Sequence, residues 1–337
     1  MKIANRMEKL APSLTLSITA LANELKAAGK DILSFSAGEP DFDTPQVVKD
    51  AAIKAINEGK TKYTAVEAIK DTKQAIINKL KKDHNLVYTL DKIVISNGAK
   101  HSLFNLAQAL IDEGDEVIIP SPYWVTYPEL VVYSGGVPVF IETDESTEFK
   151  ITAKQLKEKI TPKTKILMLN SPSNPTGSIY SKDELLAIGE VLKGTDIVVL
   201  SDEMYEKLIY KGKKFTATAE VSPDMYNRTV TINGLSKSVA MTGWRFGYVA
   251  CPNSALAKAM SKLQGQVTSN VNSMTQYAAI VALEGEANKD IEMMRVEFEK
   301  RKDYAVKAIN NISKLSCYDP DGAFYLFINI KKYLNDS

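Results

Sequence analysis

Seven short β-rich runs punctuate the chain between Lys92 and Pro252: KIVIS, DEVIIP, VPVFIE, KILMLN, DIVVLSD, TVTIN and RFGYVA. Several are almost continuously apolar, which is what strands covered on both faces require. Helical patterns separate many of them. Such spacing predicts one large, mostly parallel, doubly wound α/β sheet. After the first run, Leu103, Leu106, Ala107, Leu110 and Ile111 share one helical face, and Gly114 supplies a stop. Gly98, Ala99 and Lys100 therefore stand at a helix N-terminus. Residues 258–311 read as mainly helical and lead towards a smaller second α/β domain, to which the closing GAFYLFINI contributes a strand.

With 337 residues, 45% of them apolar, the chain can bury a large core. Its 42 basic and 41 acidic side chains nearly cancel, without a long single-sign run, so nucleic acid is not an expected partner. The longest apolar runs, such as IVVL and VIIP, are far too short to cross a bilayer, and the first residues lack a signal-peptide core. A cytoplasmic protein acting on small molecules is the expectation. Cys251 and Cys317 are far apart, and His84 and His101 complete no metal-ligand spacing, so neither a disulfide framework nor a metal site is expected.

In an open parallel sheet, ligands sit beyond the carboxyl ends of the strands. Four such ends carry polar clusters: NGAK (97–100), NSPSNPTG (170–177), SDEMY (201–205) and NGLSK (233–237). The last continues into GLSKSVAMTGWRFG (234–247), which resembles the lysine signature of the class I aminotransferases, with an arginine eight residues after the lysine. The motifs NSPSNPTG, SDEMYE, SPYW and SAGEPDFDTP resemble further landmarks of that family, in the family's order, from about residue 10 to the end. TKYT, NGAKHSLFN, SPYWVTYPE and the closing GAFY are most similar to its prokaryotic aspartate aminotransferase branch.

The resemblance implies pyridoxal 5'-phosphate (PLP) as cofactor and a fold-type-I architecture, with a seven-stranded mostly parallel sheet in a large domain, 45–285. Residues 1–44 and 286–337 would form the small α/β domain. Lys237 would hold the cofactor as a Schiff base and shuttle the substrate proton; a lysine without the GWRFG context is usually a solvated surface group. Asp202 would face the pyridine nitrogen and keep it protonated, although an aspartate at a strand end is also a common helix cap. Tyr205 and Asn174 would hydrogen-bond the phenolic oxygen, while NPTG alone is an ordinary turn sequence. Gly98, Ala99, Lys100, Ser236 and Arg245 would take the phosphate. Tyr63 would reach the phosphate of a second subunit, implying a homodimer with shared sites; otherwise it packs. Trp124 would stack on the ring, or else is plain packing.

For the substrate, the family pattern puts Gly38 N–H at the α-carboxylate, Trp124 and Asn174 beside it, and Thr15 and Lys100 at the distal carboxylate of aspartate or glutamate; alternatively Lys100 serves only the phosphate. The implied reaction moves an amino group between an acidic amino acid and a 2-oxo acid by a ping-pong route. Aminotransferases for aromatic or prephenate-type substrates and PLP β-lyases share the machinery. A non-catalytic PLP-fold protein has no reason to keep Asn174, Asp202, Tyr205, Lys237 and Arg245 together. A nicotinamide enzyme is disfavoured because no GxGxxG follows the first strand. The family's arginine for the substrate α-carboxylate lies beyond GAFY in a segment these residues do not include, so a truncated sequence is expected. Ala68, where relatives often carry glycine, should affect only loop geometry near Tyr63.

Overall fold

The computed structural model describes residues 1–35 and 38–334. All seven apolar runs are strands: β1 (Ile93–Asn97), β2 (Glu116–Ser121), β3 (Val137–Glu142), β4 (Thr164–Asn170), β5 (Val198–Asp202), β6 (Thr229–Gly234) and β7 (Phe246–Ala250). They form one sheet in the order β1-β7-β6-β5-β4-β2-β3. Only β7 runs against its neighbours β1 and β6.

The runs are continuously apolar because successive residues enter different cores. On one face Val94, Ile166, Met168 and Leu200 pack with Leu103 and Leu106 of the helix Ala99–Leu110 and with Met260 of the helix Ser254–Val267. On the other, Ile93, Ile95, Phe246 and Tyr248 meet the helices Gln46–Asn57, Lys70–His84 and Ser273–Glu284, while Leu167, Leu169 and Val199 meet Lys182–Leu192. A strand side chain such as Ile95, fully buried, contributes about 1.5–3 kcal/mol of burial.

Two expectations need correction. Gly114 does not end its helix: Ile111 is already extended (φ −97°, ψ 121°), and Gly114 (φ +86°) turns the chain towards β2. GAFYLFINI is not one strand either. Its one strand is Ile328–Asn329 (β9), paired with Ser316–Cys317 (β8), and Gly322 makes an isolated antiparallel bridge with Ile209. The preceding residues wrap the large sheet's rim, because Asp321 and Gly322 N–H donate to Gly177 O and Ala323 N–H to Leu208 O. Ala323 then turns at φ +57°. The stretch 258–311 holds three helices, the last being Asn288–Asn310.

Candidate active site

The reversal of β7 gathers the site. Because β7 runs backwards, the residue before it lies at the sheet edge where β1, β4, β5 and β6 end. Its register pairs Phe246 with Asn97 and Gly247 with Gly234, which puts Arg245 beside the start of the helix Ala99–Leu110. The approach is close: a Cβ on Gly98 (φ +85°) would lie 2.5 Å from the Arg245 guanidinium, and one on Gly247 would overlap the Ala99 backbone. Glycine is required at both. The helix has no side-chain cap at Gly98, leaving the Ala99 and Lys100 N–H groups without intrahelical carbonyls. Arg245 donates to the Thr242 and Asn97 carbonyls at 2.9 and 3.4 Å and, among the described residues, has no carboxylate partner. These donors make a cradle for a phosphate. Ser236 lies buried on the turn after β6.

Lys237, three residues past β6, is half-buried. Its Nζ donates to Gly38 O and lies 5.6 Å from the centre of the Phe324 ring. Burial, reinforced by the Arg245 charge and opposed by Glu39 and Asp202, lowers its ammonium to about 8. A larger fraction of free amine is therefore present near neutral pH, as a nucleophile requires.

Asp202 ends β5 and is buried. It accepts from Tyr127 Oη at 2.7 Å and from Met204 N–H at 3.3 Å. Burial pushes its carboxyl up to about 6, against the Tyr127 bond, the Met204 N–H and the Lys237 charge. No cation is paired with it among the described residues, so it suits a ligand that brings a positive N–H. Tyr205 Oη lies 2.6 Å from Tyr325 Oη. Burial and those neighbours raise its pKa well above the ordinary value, with Asn174 acting the other way, so it remains a neutral donor. Asn174 N–H is held by Asn170 Oδ1 at 2.6 Å, and Asn170 Nδ2 reaches Asp202 O at 3.0 Å. Trp124 packs edge-to-face on Tyr127 with ring centres 5.5 Å apart.

Lys100 stands at the exposed rim with Nζ 4.9 Å from the Trp124 ring centre. Lost hydration, then the Arg245 charge, lowers its pKa. Gly38 belongs to the site because a Cβ there would lie 2.7 Å from Tyr325 Oη. Two expected residues are not drawn in. Thr15 is exposed on the helix Leu14–Ala27, and among the described residues no hydrogen bond joins it to Lys100. Tyr63 is 90% exposed. Sequence reasoning missed Tyr127 and Tyr325 as site residues; both lie in the quoted motifs SPYWVTYPE and GAFY, where only Trp124 was singled out.

A nucleophilic amine, a buried carboxylate lacking a cation and a cradle of N–H and guanidinium donors answer three parts of one molecule: an aldehyde, a pyridinium ring and a phosphate ester. The donor set fits PLP, and fold and site together define a PLP-dependent enzyme of fold type I. The family model described as aminotransferase class I and II matches residues 30–336, and the chain belongs to that family. It is 51% identical over 332 residues to the aspartate aminotransferase of Geobacillus stearothermophilus, covering 98% of this chain and 84% of that protein. It is 47% identical over 336 residues to the aspartate/prephenate aminotransferase of Nitrosomonas europaea, covering 99% and 84%. Among solved structures, the aspartate aminotransferase of Rhizobium meliloti superposes with TM-score 0.94 at 43% identity (98% and 82% covered), and that of Thermus thermophilus with maleate with 0.93 at 38% (98% and 86%). The chain is a PLP-dependent aminotransferase.

Proposed function

We propose that the chain moves an amino group between aspartate or glutamate and a 2-oxo acid, in two half-reactions on one site. The observation that carries the acidic preference is Lys100, a cation 4.9 Å from the Trp124 ring centre, with no carboxylate partner in an ion pair among the described residues. A substrate's second carboxylate would supply that partner. The relatives' names point the same way, and the Thermus thermophilus structure was determined with maleate, a dicarboxylate. Prephenate, also a dicarboxylate, is the second reading, favoured by the name of the Nitrosomonas europaea relative.

When bound, PLP supplies an aldehyde for amine exchange and a protonated ring that accepts the electron pair left at the substrate Cα. Lys237 Nζ anchors the cofactor and, once free, takes and returns the Cα proton. Asp202 offers the carboxylate for the ring N–H. Tyr205 Oη and Asn174 Nδ2 donate to the phenolic oxygen. Gly98, Ala99, Lys100, Ser236 and Arg245 hold the phosphate, Trp124 covers the ring, and Gly38 N–H receives the α-carboxylate. Residues 45–285 serve as the large domain and 1–44 with 286–337 as the small one. A homodimer in which Tyr63 completes the partner's site accounts for an aromatic left 90% exposed. Thr15, exposed in one subunit, is assigned to the distal carboxylate on the family pattern. No helix among the described residues is long and apolar enough to cross a membrane, and with free Cys251 and Cys317 this favours the cytoplasm.

Specificity constants for aspartate and phenylalanine, with 2-oxoglutarate as acceptor, test the reading. Lys100→Ala should lower the aspartate-to-phenylalanine ratio about ten- to a hundredfold, the loss of one charge-assisted hydrogen bond. Lost phosphate binding would lower both constants and leave their ratio unchanged, and an unchanged ratio would remove Lys100 from the substrate subsite.

A further inference from the structure

Behind β5, on the side away from the cofactor site, lies a partly buried network of charges that the proposed reaction does not use. The helix Lys70–His84 contributes Lys79, Asp83 and His84, the chain after β5 contributes Glu203, Glu206 and Lys207, and the turn Thr218–Glu220 contributes Glu220. Both Glu206 carboxylate oxygens are engaged, Oε1 by Lys79 Nζ at 2.5 Å and Oε2 by His84 Nε2 at 2.8 Å. His84 Nδ1 lies 3.3 Å from Glu220 Oε2, and Asp83 Oδ2 takes Lys79 and Lys207 at 3.2 and 2.7 Å. Glu203 Oε1 accepts from Ser201 Oγ and Thr218 N–H at 2.9 and 3.0 Å. Asp83, His84 and Glu206 place ligand-type atoms within 4.8 Å of one another. Lys79 and Lys207 already neutralise those carboxylates, so the cluster is an ion-pair network and not a cation site.

Along the chain after β5, site and network alternate. Asp202 and Tyr205 face the cofactor site; Glu203 and Glu206 face the network. The turn is short, with Glu206 N–H donating to Glu203 O at 3.1 Å and Leu208 N–H to Tyr205 O at 2.8 Å. We propose that Glu206 is a positioning residue, clamped from behind by Lys79 and His84, which fixes the turn that presents Asp202 and Tyr205 to the cofactor. The proposal rests on the reading of Asp202 and Tyr205 as cofactor-facing.

The electrostatics make the clamp stiff. Burial alone would lift the Glu206 carboxyl, yet Lys79 and His84 hold it well below the ordinary carboxylate range. His84 is lifted to about 9, its burial outweighed by Glu206 and Glu220 although Lys79 opposes them. A buried charge with both oxygens paired tolerates little displacement, because moving it leaves the partners uncompensated.

The test uses holoenzyme and reads the pH midpoint of the bound cofactor's visible absorption together with kcat and KM for aspartate. Tyr205→Phe, the control, removes a donor to the phenolic oxygen and should raise the midpoint by on the order of one unit. Glu206→Gln should raise it in the same direction and lower kcat about ten- to a hundredfold, with KM changed far less, as misplaced groups do. The double variant Lys79→Met/Glu206→Gln leaves no lone buried charge and should show the same shift, which covers the case in which the single variant does not fold. A parent-like midpoint in a folded Glu206 variant, with the control shifted, overturns the proposal. A control that does not shift overturns the reading of Tyr205 and the proposal with it.

Discussion

Asp202 shows how one residue's surroundings select its partner. Burial raises its carboxyl to about 6, and its hydrogen-bond donors, Tyr127 Oη and Met204 N–H, are neutral. A cationic ring N–H would return it to the ionised form, which is the differential interaction an electron sink requires. Asp202→Ala is expected to retain the cofactor through Arg245 and the helix start while turnover falls by orders of magnitude; near-parent turnover in cofactor-saturated variant would sink the assignment. At this scale the proposed site was the easiest to delineate from sequence, because Lys237, Asp202, Asn174 and Arg245 sit in short motifs fixed by local spacing. Tyr127 and Tyr325 reach the site from other elements, and no local pattern announces that. Ala68, where relatives often carry glycine, sits at φ +88° while 4% exposed, a backbone conformation that glycine adopts without strain. Relief of such backbone strain, about 1–3 kcal/mol, should offset the usual penalty for glycine. Ala68→Gly is therefore expected to keep the parent Tm, whereas Ala75→Gly, inside the helix Lys70–His84, should cost about 1 kcal/mol; equal losses in calorimetry would contradict the strain argument.

The junction of β7 with the helix after β1 is the element on which the proposed phosphate cradle depends. A methyl on Gly247 would overlap the Ala99 backbone, whereas Gly243 has nothing within 4 Å of its would-be Cβ. Gly247→Ala should weaken cofactor binding or folding severely and Gly243→Ala should not; similar cofactor dissociation constants for the two would refute the close-approach account. The existence of all seven strands could be read from sequence because their apolar runs serve two cores. The direction of β7 could not, since a buried strand looks alike in either sense, and it is this direction that delivers Arg245. GAFYLFINI misled because apolar rim-wrapping chain has strand-like composition. The helix Lys70–His84 carries a further prediction. His84 rises from 6.5 to about 9 on folding, so its contribution to stability is fully present below about 6.5 and is lost as pH climbs through about 9. Thermal unfolding from neutral to alkaline pH should show a steeper decline in Tm for the parent than for His84→Gln, and parallel curves would contradict the pairing with Glu206 and Glu220.

For the molecule as a whole, the proposed dimer makes each site the work of two chains. Mixed dimers refolded from Tyr63→Ala and Lys237→Ala subunits then contain one site with both residues intact. Random reassociation makes half of the dimers hybrid, so about a quarter of the parent's sites should be restored; additive, unrestored activity would place Tyr63 outside the partner's site. The fold class and the family were legible across the whole chain because the motifs recur in order from the N-terminal segment to GAFY. The proposed meeting of two subunits rests on resemblance alone, since an exposed tyrosine in one chain carries no record of what it would touch in another.

The central claim is that Lys237 is the amine that holds the cofactor. It is tested most directly by treating yellow holoenzyme with borohydride, which makes the lysine–cofactor bond permanent, and mapping the labelled peptide. The label should fall on Lys237 within GLSKSVAMTGWRFG (234–247), and Lys237→Ala should lose both the label and turnover. A label on Lys100 or any other lysine would contradict the account.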